Sequence, residues 1–222
     1  MKIQIPETEE GPFYKHRHNL LAWGEKEWKI ANKHIESYRV CLDIGAHVGL
    51  TTIRYSKHFE KVYSFEPVMF EYLSANTSEI DNVIIHNCAV GEFEESLTMY
   101  PNPFNTGRSI VEAPVHKKRI DRHWKSANGK MKDIDPVIVQ GNPIDKYSFS
   151  EVDFIKIDVE GYNLPVLKGM DEMLKRNNPV MQIESCETPE DDKIMFKHLD
   201  SIGYRLVDQC NGNPMDWIFK RT

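Results

Sequence analysis

From residue 39 onward, short apolar runs of strand length alternate with amphipathic stretches of helix length, and this rhythm restricts the fold more than any other feature. Arg39–Ile44, Val62–Phe65 and Val83–His86 read as strands, with helices expected over Leu50–His58 and Met69–Ser78 between them. Strands joined through a helix run parallel, because a crossover of that length returns the chain to the same sheet in the same direction. The alternation lapses over Phe93–Gln140. There Ser96–Tyr100 and Val137–Gln140 read as strands around a loop rich in Pro, Asn and Gly (Pro101, Asn102, Pro103, Asn105, Gly107) and a basic stretch. It resumes with Val152–Asp158, apolar enough to be buried on both faces, then a helix over Leu164–Arg176 and a strand over Pro179–Glu184. The next helix has Thr188 as its cap, Pro189 at its first position and Gly203 just past its end. Tyr204–Asp208 and Trp217–Phe219 flank an Asn-Gly-Asn-Pro turn, and two strands so joined are antiparallel. The fold expected is α/β: a mostly parallel sheet with one antiparallel strand near the C-terminus and helices on both faces.

At 222 residues the chain suits one domain over 1–222, with a helical extension over 1–38 and a basic insert over 111–136 that could act as a lid. The extension holds Leu20, Trp23, Trp28, Ile30, Ala31 and Ile35 at loosely helical spacing between Asn19 and Ser37. No apolar run approaches the roughly 20 residues that span a bilayer. Met1–Glu10 alternates apolar with polar and acidic residues, unlike a secretory signal, so the expected address is the cytoplasm. Cys41, Cys88, Cys186 and Cys210 are far apart and form no C-x-x-C pair, which fits reduced structural thiols and not a zinc site. The net charge of −6 speaks against a membrane or nucleic-acid partner. The basic segment Lys117, Lys118, Arg119, Arg122, Lys125, Lys130 and Lys132, with Trp124 inside it, is the local exception.

The strongest local signal is Asp43-Ile44-Gly45-Ala46-His47-Val48-Gly49, at the junction of a buried strand and a helix. Gly45 permits a sharp turn and close approach of a ligand, Gly49 opens the helix, and helix N-terminal amides face whatever binds there. Glu66 lies 21 residues past Gly45 at the end of the second strand, near the ~20-residue offset at which an acid meets ribose hydroxyls. Adenosine is common to dinucleotides and to S-adenosylmethionine. A dinucleotide asks for G-x-G-x-x-G against its pyrophosphate, whereas His47 occupies the middle glycine position here, so a phosphate-free cofactor is favoured.

These stretches resemble the FkbM-type methyltransferases, a class I family, from about Val40 to Glu184. The resemblance rests on Asp43–Gly49, Phe65-Glu66-Pro67, Asn87-Cys88-Ala89-Val90-Gly91, Asn105-Thr106-Gly107-Arg108-Ser109, Pro143-Ile144-Asp145 and Phe154-Ile155-Lys156-Ile157-Asp158-Val159-Glu160-Gly161. It implies a Rossmann-like class I sheet of seven strands and S-adenosylmethionine as methyl donor. It also implies O-methylation, often of sugar or polyketide hydroxyls; with the basic segment able to attract an anionic acceptor, a sugar or nucleotide-sugar is favoured among small molecules. Asp43, Gly45, Ala46, His47 and Gly49 then meet the methionine half of the donor. Glu66, with Pro67 beside it, takes the ribose, and Asn87, Cys88 and Ala89 border the adenine. His47 departs from the asparagine common at that position.

Ligands of such sheets bind beyond the C-terminal strand ends, where Asp158, Glu160 and Glu184 converge. Methyl transfer needs an aligned acceptor and a base to take its proton, which makes these three the candidate catalytic acids. Asp158 also faces the donor. Lys156, buried two residues before Asp158, needs an acidic partner such as Asp43, Asp158 or Glu184, and joins the site as its organiser. Two separated carboxylates support a magnesium site only weakly, and no metal is expected. His86 ends the third strand beside the adenine region. Nucleic-acid methylation through residues 117–132, a nicotinamide-dependent oxidoreductase and a non-catalytic nucleotide-binding module are the competing readings.

Overall fold

The structure is a computed structural model that describes residues 3–11, 15–112, 135–186, 188–210 and 215–222. The basic cluster Lys117–Lys132 and the Asn-Gly-Asn-Pro turn lie outside the described residues. Seven strands form the main sheet: β1 (Val40–Ile44), β2 (Lys61–Phe65), β3 (Val83–His86), β8 (Val152–Ile157), β9 (Val180–Glu184), β10 (Tyr204–Cys210) and β11 (Asp216–Arg221). Their order is β10-β11-β9-β8-β1-β2-β3, and β11 runs antiparallel to both neighbours. A second sheet, unexpected from the sequence, takes the middle of the chain: β4 (Ala89–Val90), β7 (Val137–Asn142), β5 (Glu95–Tyr100) and β6 (Ile110–Val111), in that order. Its strands form because the excursion after β3 pairs with itself and leaves the main sheet at that edge.

The helices are α1 (Glu25–Ala31), α2 (Leu50–Tyr55), α3 (Phe70–Thr77), α4 (Asn163–Lys168), α5 (Asp171–Asn177) and α6 (Pro189–Ser201). Two expected helices are divided. The N-terminal one is broken at Gly24, whose φ of +70° no helix accommodates. The one expected over Leu164–Arg176 stops at Gly169, where a Cβ would lie 1.9 Å from the Gly91 carbonyl oxygen, so the close backbone approach at this break admits only glycine. Thr188 caps α6 as expected, its hydroxyl accepting from the Asp191 amide at 3.2 Å. No described helix is long and apolar enough to cross a membrane.

Strand alternation divides the core into two layers. Leu42, Ile44, Ile155, Ile157, Met181 and Ile183 face one side, packed with Val166, Leu167, Met173 and Leu199 of α4 to α6. Cys41, Val62, Phe154, Val180 and Ile218 face the other, against Trp28 of α1 and Tyr55 and Phe59. Trp28 is within 6.2 Å of the Tyr55, Phe59 and Phe154 rings, and each buried aromatic of this kind contributes about 1.5–3 kcal/mol from apolar burial.

On this second face each strand changes character towards its C-terminal end. Two residues past the apolar row, on the same face, stand Ser64, Asp43, Lys156 and Gln182, register partners from β2, β1, β8 and β9. All four are buried. A row of polar groups inside a doubly covered sheet is costly unless each finds a partner, so it marks the floor of a site and not a stretch of core.

A carboxylate-lined cavity at the strand ends

A cavity of about 910 Å³ opens beyond this row. One wall is apolar, built by Ile44, Phe65, Cys88, Ala89, Met99 and Val111. The lining also carries the acids Asp158, Glu160, Glu184 and Asp216. The loop 105–109 of the second sheet closes one side and Trp23, Gly24 and Glu27 another.

Gly45, Ala46 and His47 line the cavity directly. Gly45 has a φ of +78°, and a Cβ there would sit 1.8 Å from the Asp158 carbonyl oxygen. The glycine is therefore required by the approach of β8, whose Asp158 amide donates to the Ile44 carbonyl at 3.0 Å, before any ligand is considered. Glu66 is buried and triply held: Oε1 accepts from the Val68 and Met69 amides at 2.7 and 2.9 Å, and Oε2 from the His47 amide at 3.0 Å. Burial pushes its carboxyl above the usual range, partly offset by those amides. A carboxylate offers about four acceptor positions and three are taken, which leaves Oε2 with one for a ligand hydroxyl. Pro67, Cys88 and Ala89 stand alongside.

Three positions assigned to the cofactor do not line the cavity. Asp43 is fully buried below it, its Oδ2 accepting from the Thr51 and Thr52 hydroxyls at 2.9 and 2.6 Å. Gly49 faces α3, where a Cβ would lie 2.9 Å from Leu73 Cδ1. Asn87, just past the C-terminal end of β3, is exposed to solvent. His86 is also absent from the wall; it stacks behind Phe65 with ring centroids 4.6 Å apart.

Lys156 finds the partners its burial demanded. Its Nζ lies 3.0 Å from Asp158 Oδ2 and 3.9 Å from Asp43 Oδ1. Burial alone would depress the ammonium, but Asp158 and Asp43 outweigh it and hold its pKa above the ordinary lysine value. Asp158 moves the opposite way: burial raises it, and Lys156 more than reverses that, so it stays ionised. Glu184 is raised well above the carboxylate range by burial and by the charges of Asp158 and Glu160. One oxygen from each of Asp158, Glu160 and Glu184 falls within 4.8 Å of the others. Glu160 is brought there by strain: it and Gly161 have φ of +50° and +84°, in a turn closed by the Tyr162 amide on the Val159 carbonyl at 3.1 Å.

The residues that sequence reasoning missed are Glu9, Gln182 and Asp216. Asp216 pairs in register with Glu184, accepts from Gln182 Nε2 at 2.8 Å, and is pushed up to about 6 by burial and by Asp158. Strand periodicity marks none of these as functional. Only the antiparallel return of β11 brings Asp216 to the cavity.

The cavity lies at the C-terminal strand ends of a seven-stranded, mostly parallel sheet, with an acid after β2 and acids after β8, the arrangement of a Rossmann-like nucleoside-binding domain. A profile of the methyltransferase FkbM domain matches residues 43–206, and the chain belongs to that family. "Methyltransferase 1" of Beauveria bassiana (strain ARSEF 2860) is 24% identical over 190 residues, covering 79% of this chain and 76% of that one. Among solved structures, a methyltransferase FkbM from Methylobacillus flagellatus KT superposes with a TM-score of 0.53 at 17% identity over 82% of this chain. That match spans only 43% of the bacterial protein's length. A ribosomal protein L11 methylase from Lactobacillus delbrueckii subsp. bulgaricus gives 0.52 at 9% identity, covering 92% and 77%. The chain is an S-adenosylmethionine-dependent methyltransferase.

The cavity suits that donor. Lys156 and Arg108 are the only lysine or arginine side chains among the described lining residues, and Lys156 is committed to Asp158 and Asp43. Such a wall does not suit a pyrophosphate. It does suit a nucleoside whose hydroxyls need acceptors and whose tail carries positive charge. Glu66 and the Gly45–His47 backbone would hold the nucleoside and Asp158 the cationic end.

Proposed function

We propose that this enzyme methylates a hydroxyl of a sugar or similar small molecule, with Asp158 and Glu184 handling the proton. S-adenosylmethionine supplies an electrophilic methyl carbon on a sulfonium, so the protein's task is alignment and proton removal. The observation that carries this reading is the opposed tuning of two neighbouring acids on the cavity wall: Asp158 kept ionised by Lys156, Glu184 pushed towards its protonated form. Such a pair separates an acceptor of a hydrogen bond from a place for a proton. Asp158 orients the acceptor hydroxyl. As the oxygen forms its bond to the methyl carbon and the carbon–sulfur bond breaks, the hydroxyl proton passes into the Asp158–Glu184 pair. Glu160 and Asp216 add further acceptors, which favours a polyhydroxylated molecule over a polyphosphate. Four free cysteines, all buried, accord with a reducing cytoplasm as the place of action.

The test is methyl transfer from labelled S-adenosylmethionine to a panel of sugars, nucleotide-sugars and RNA. Transfer to a sugar hydroxyl is expected. Asp158→Asn and Glu184→Gln should each lower kcat by about 100-fold or more. Transfer confined to RNA, or full kcat in both variants, would sink the proposal.

A further inference from the structure

Glu9 lies outside the matched family region, yet it is 2% exposed and its carboxylate accepts three hydrogen bonds next to Thr106 of the cavity lining. Oε1 accepts from the Gly11 amide at 2.7 Å. Oε2 accepts from both the Thr106 amide at 2.8 Å and the Thr106 hydroxyl at 2.6 Å. The same hydroxyl oxygen lies 2.8 Å from His47 Nε2. Thr106 has one hydroxyl proton and gives it to a carboxylate, so towards His47 it can only accept. His47 must therefore carry its proton on Nε2. Its amide in turn donates to Glu66, so one continuous chain of hydrogen bonds runs from Glu9 through Thr106 and His47 to the acid assigned to the ribose.

The rest of the arm reinforces this. The Gln4 amide donates to Asn76 Oδ1 at 2.7 Å, and Asn76 Nδ2 donates to both the Gln4 and Val48 carbonyls. Ile3 and Ile5 pack on Val48 and Leu50, and the Glu10 amide donates to Phe104. Residues 3–10 thus tie the loop Gly45–Gly49 to the loop Phe104–Thr106, two walls of the cavity that no β-ladder joins. Burial lowers His47 to about 4, so the ring is neutral and its tautomer is what remains to be set.

We propose that Glu9 is a positioning residue for the methyl-transfer reaction: acting through Thr106, it selects the Nε2–H tautomer of His47 and thereby holds the donor-binding loop in register with Glu66. The catalytic consequence rests on the functional reading above, whereas the tautomer does not. In Glu9→Gln the Thr106 hydroxyl is no longer committed to a carboxylate and can turn its proton to His47. Thr106→Val removes the hydroxyl at nearly constant shape, and Thr106→Ser keeps it.

The experiment reads the two ring-nitrogen shifts of His47 by NMR and the affinity for S-adenosylmethionine by calorimetry, in the full chain. Wild type and Thr106→Ser should show the Nε2–H pattern. Glu9→Gln and Thr106→Val should lose it and bind the donor on the order of tenfold more weakly, the loss expected when a binding loop is slightly misplaced. His47 shifts unchanged from wild type in Thr106→Val and Glu9→Gln would overturn the proposal, as would an Nδ1–H pattern in the wild type. If the wild type shows the Nε2–H pattern but binds no donor, the functional reading fails and the tautomer assignment stands.

Discussion

Lys156 on β8 and Asp158 just past that strand's end form an ion pair of 3.0 Å at the boundary between the buried sheet and the cavity. The lysine side chain is 9% exposed and the aspartate's 35%, so the pair has one end in the protein interior and the other facing the cavity. This arrangement keeps a carboxylate ionised where a neutral acid would otherwise be favoured.

Lys156→Met would leave Asp43 and Asp158 facing each other without a cation. Removing one partner of a buried ion pair costs about 3–5 kcal/mol. The lower end applies here because Asp158 still reaches solvent. Denaturant unfolding of the variant against wild type measures it, and a loss below about 0.5 kcal/mol would contradict the pairing.

Gly45→Ala is expected to be among the most damaging single substitutions. The new Cβ would fall 1.8 Å from a carbonyl oxygen, at a φ of +78°. Overpacking and left-handed strain together cost about 3 kcal/mol or more. Thermal melting should show it even without ligand, which separates a structural requirement for this glycine from a ligand-binding one.

Glu66→Ala removes the acceptor for the His47, Val68 and Met69 amides as well as the group assigned to the ribose. Affinity for S-adenosylmethionine should fall at least tenfold, about 1.4 kcal/mol. Stability should fall too, because buried donors left unsatisfied cost roughly 1–3 kcal/mol each. Calorimetry and melting on the same sample test both; unchanged affinity would remove Glu66 from the ribose site.

Asp216 gives stability a pH dependence of definite sign. Its pKa rises from 3.8 to about 6 on folding, so between these values the folded state binds more protons than the unfolded one. Stability from this group is present below pH 3.8 and is lost as pH rises through about 6. Asp216→Asn should flatten the curve over that window, by on the order of 2–3 kcal/mol. Melting curves across the window provide the measurement, and an unaltered slope in the variant would count against the shift. Glu184, also raised, contributes with the same sign.

Local signals are legible where the chain's own chemistry suffices. The alternation of apolar runs and amphipathic stretches marked the α/β class, and the turn before Trp217 marked the reversed strand, because side-chain period and turn length act over a few residues. Thr188 and Pro189 placed α6 for the same reason. The acids at the ends of β2, β8 and β9 were visible because strand ends are where such sheets expose ligand sites.

What only the tertiary structure decided is who faces whom. The strand-end position of Asp43 said nothing about whether it meets ligand or lies beneath it; the Thr51 and Thr52 hydroxyls and the Lys156 ammonium place it beneath. Gly169 looked like an interior helix residue until the Gly91 carbonyl passed over it. Asp216 reaches the cavity through the antiparallel return of β11, and Glu9 meets Thr106 of the cavity lining from an arm 97 residues away in sequence. Burial, partner and pKa are properties of neighbours brought together by folding. The sequence alone determined that a glycine-flanked turn, Gly45–Gly49, follows β1. The packing of β8, β11 and the N-terminal arm around it decided which of the neighbouring side chains face the cavity and which lie buried beneath it.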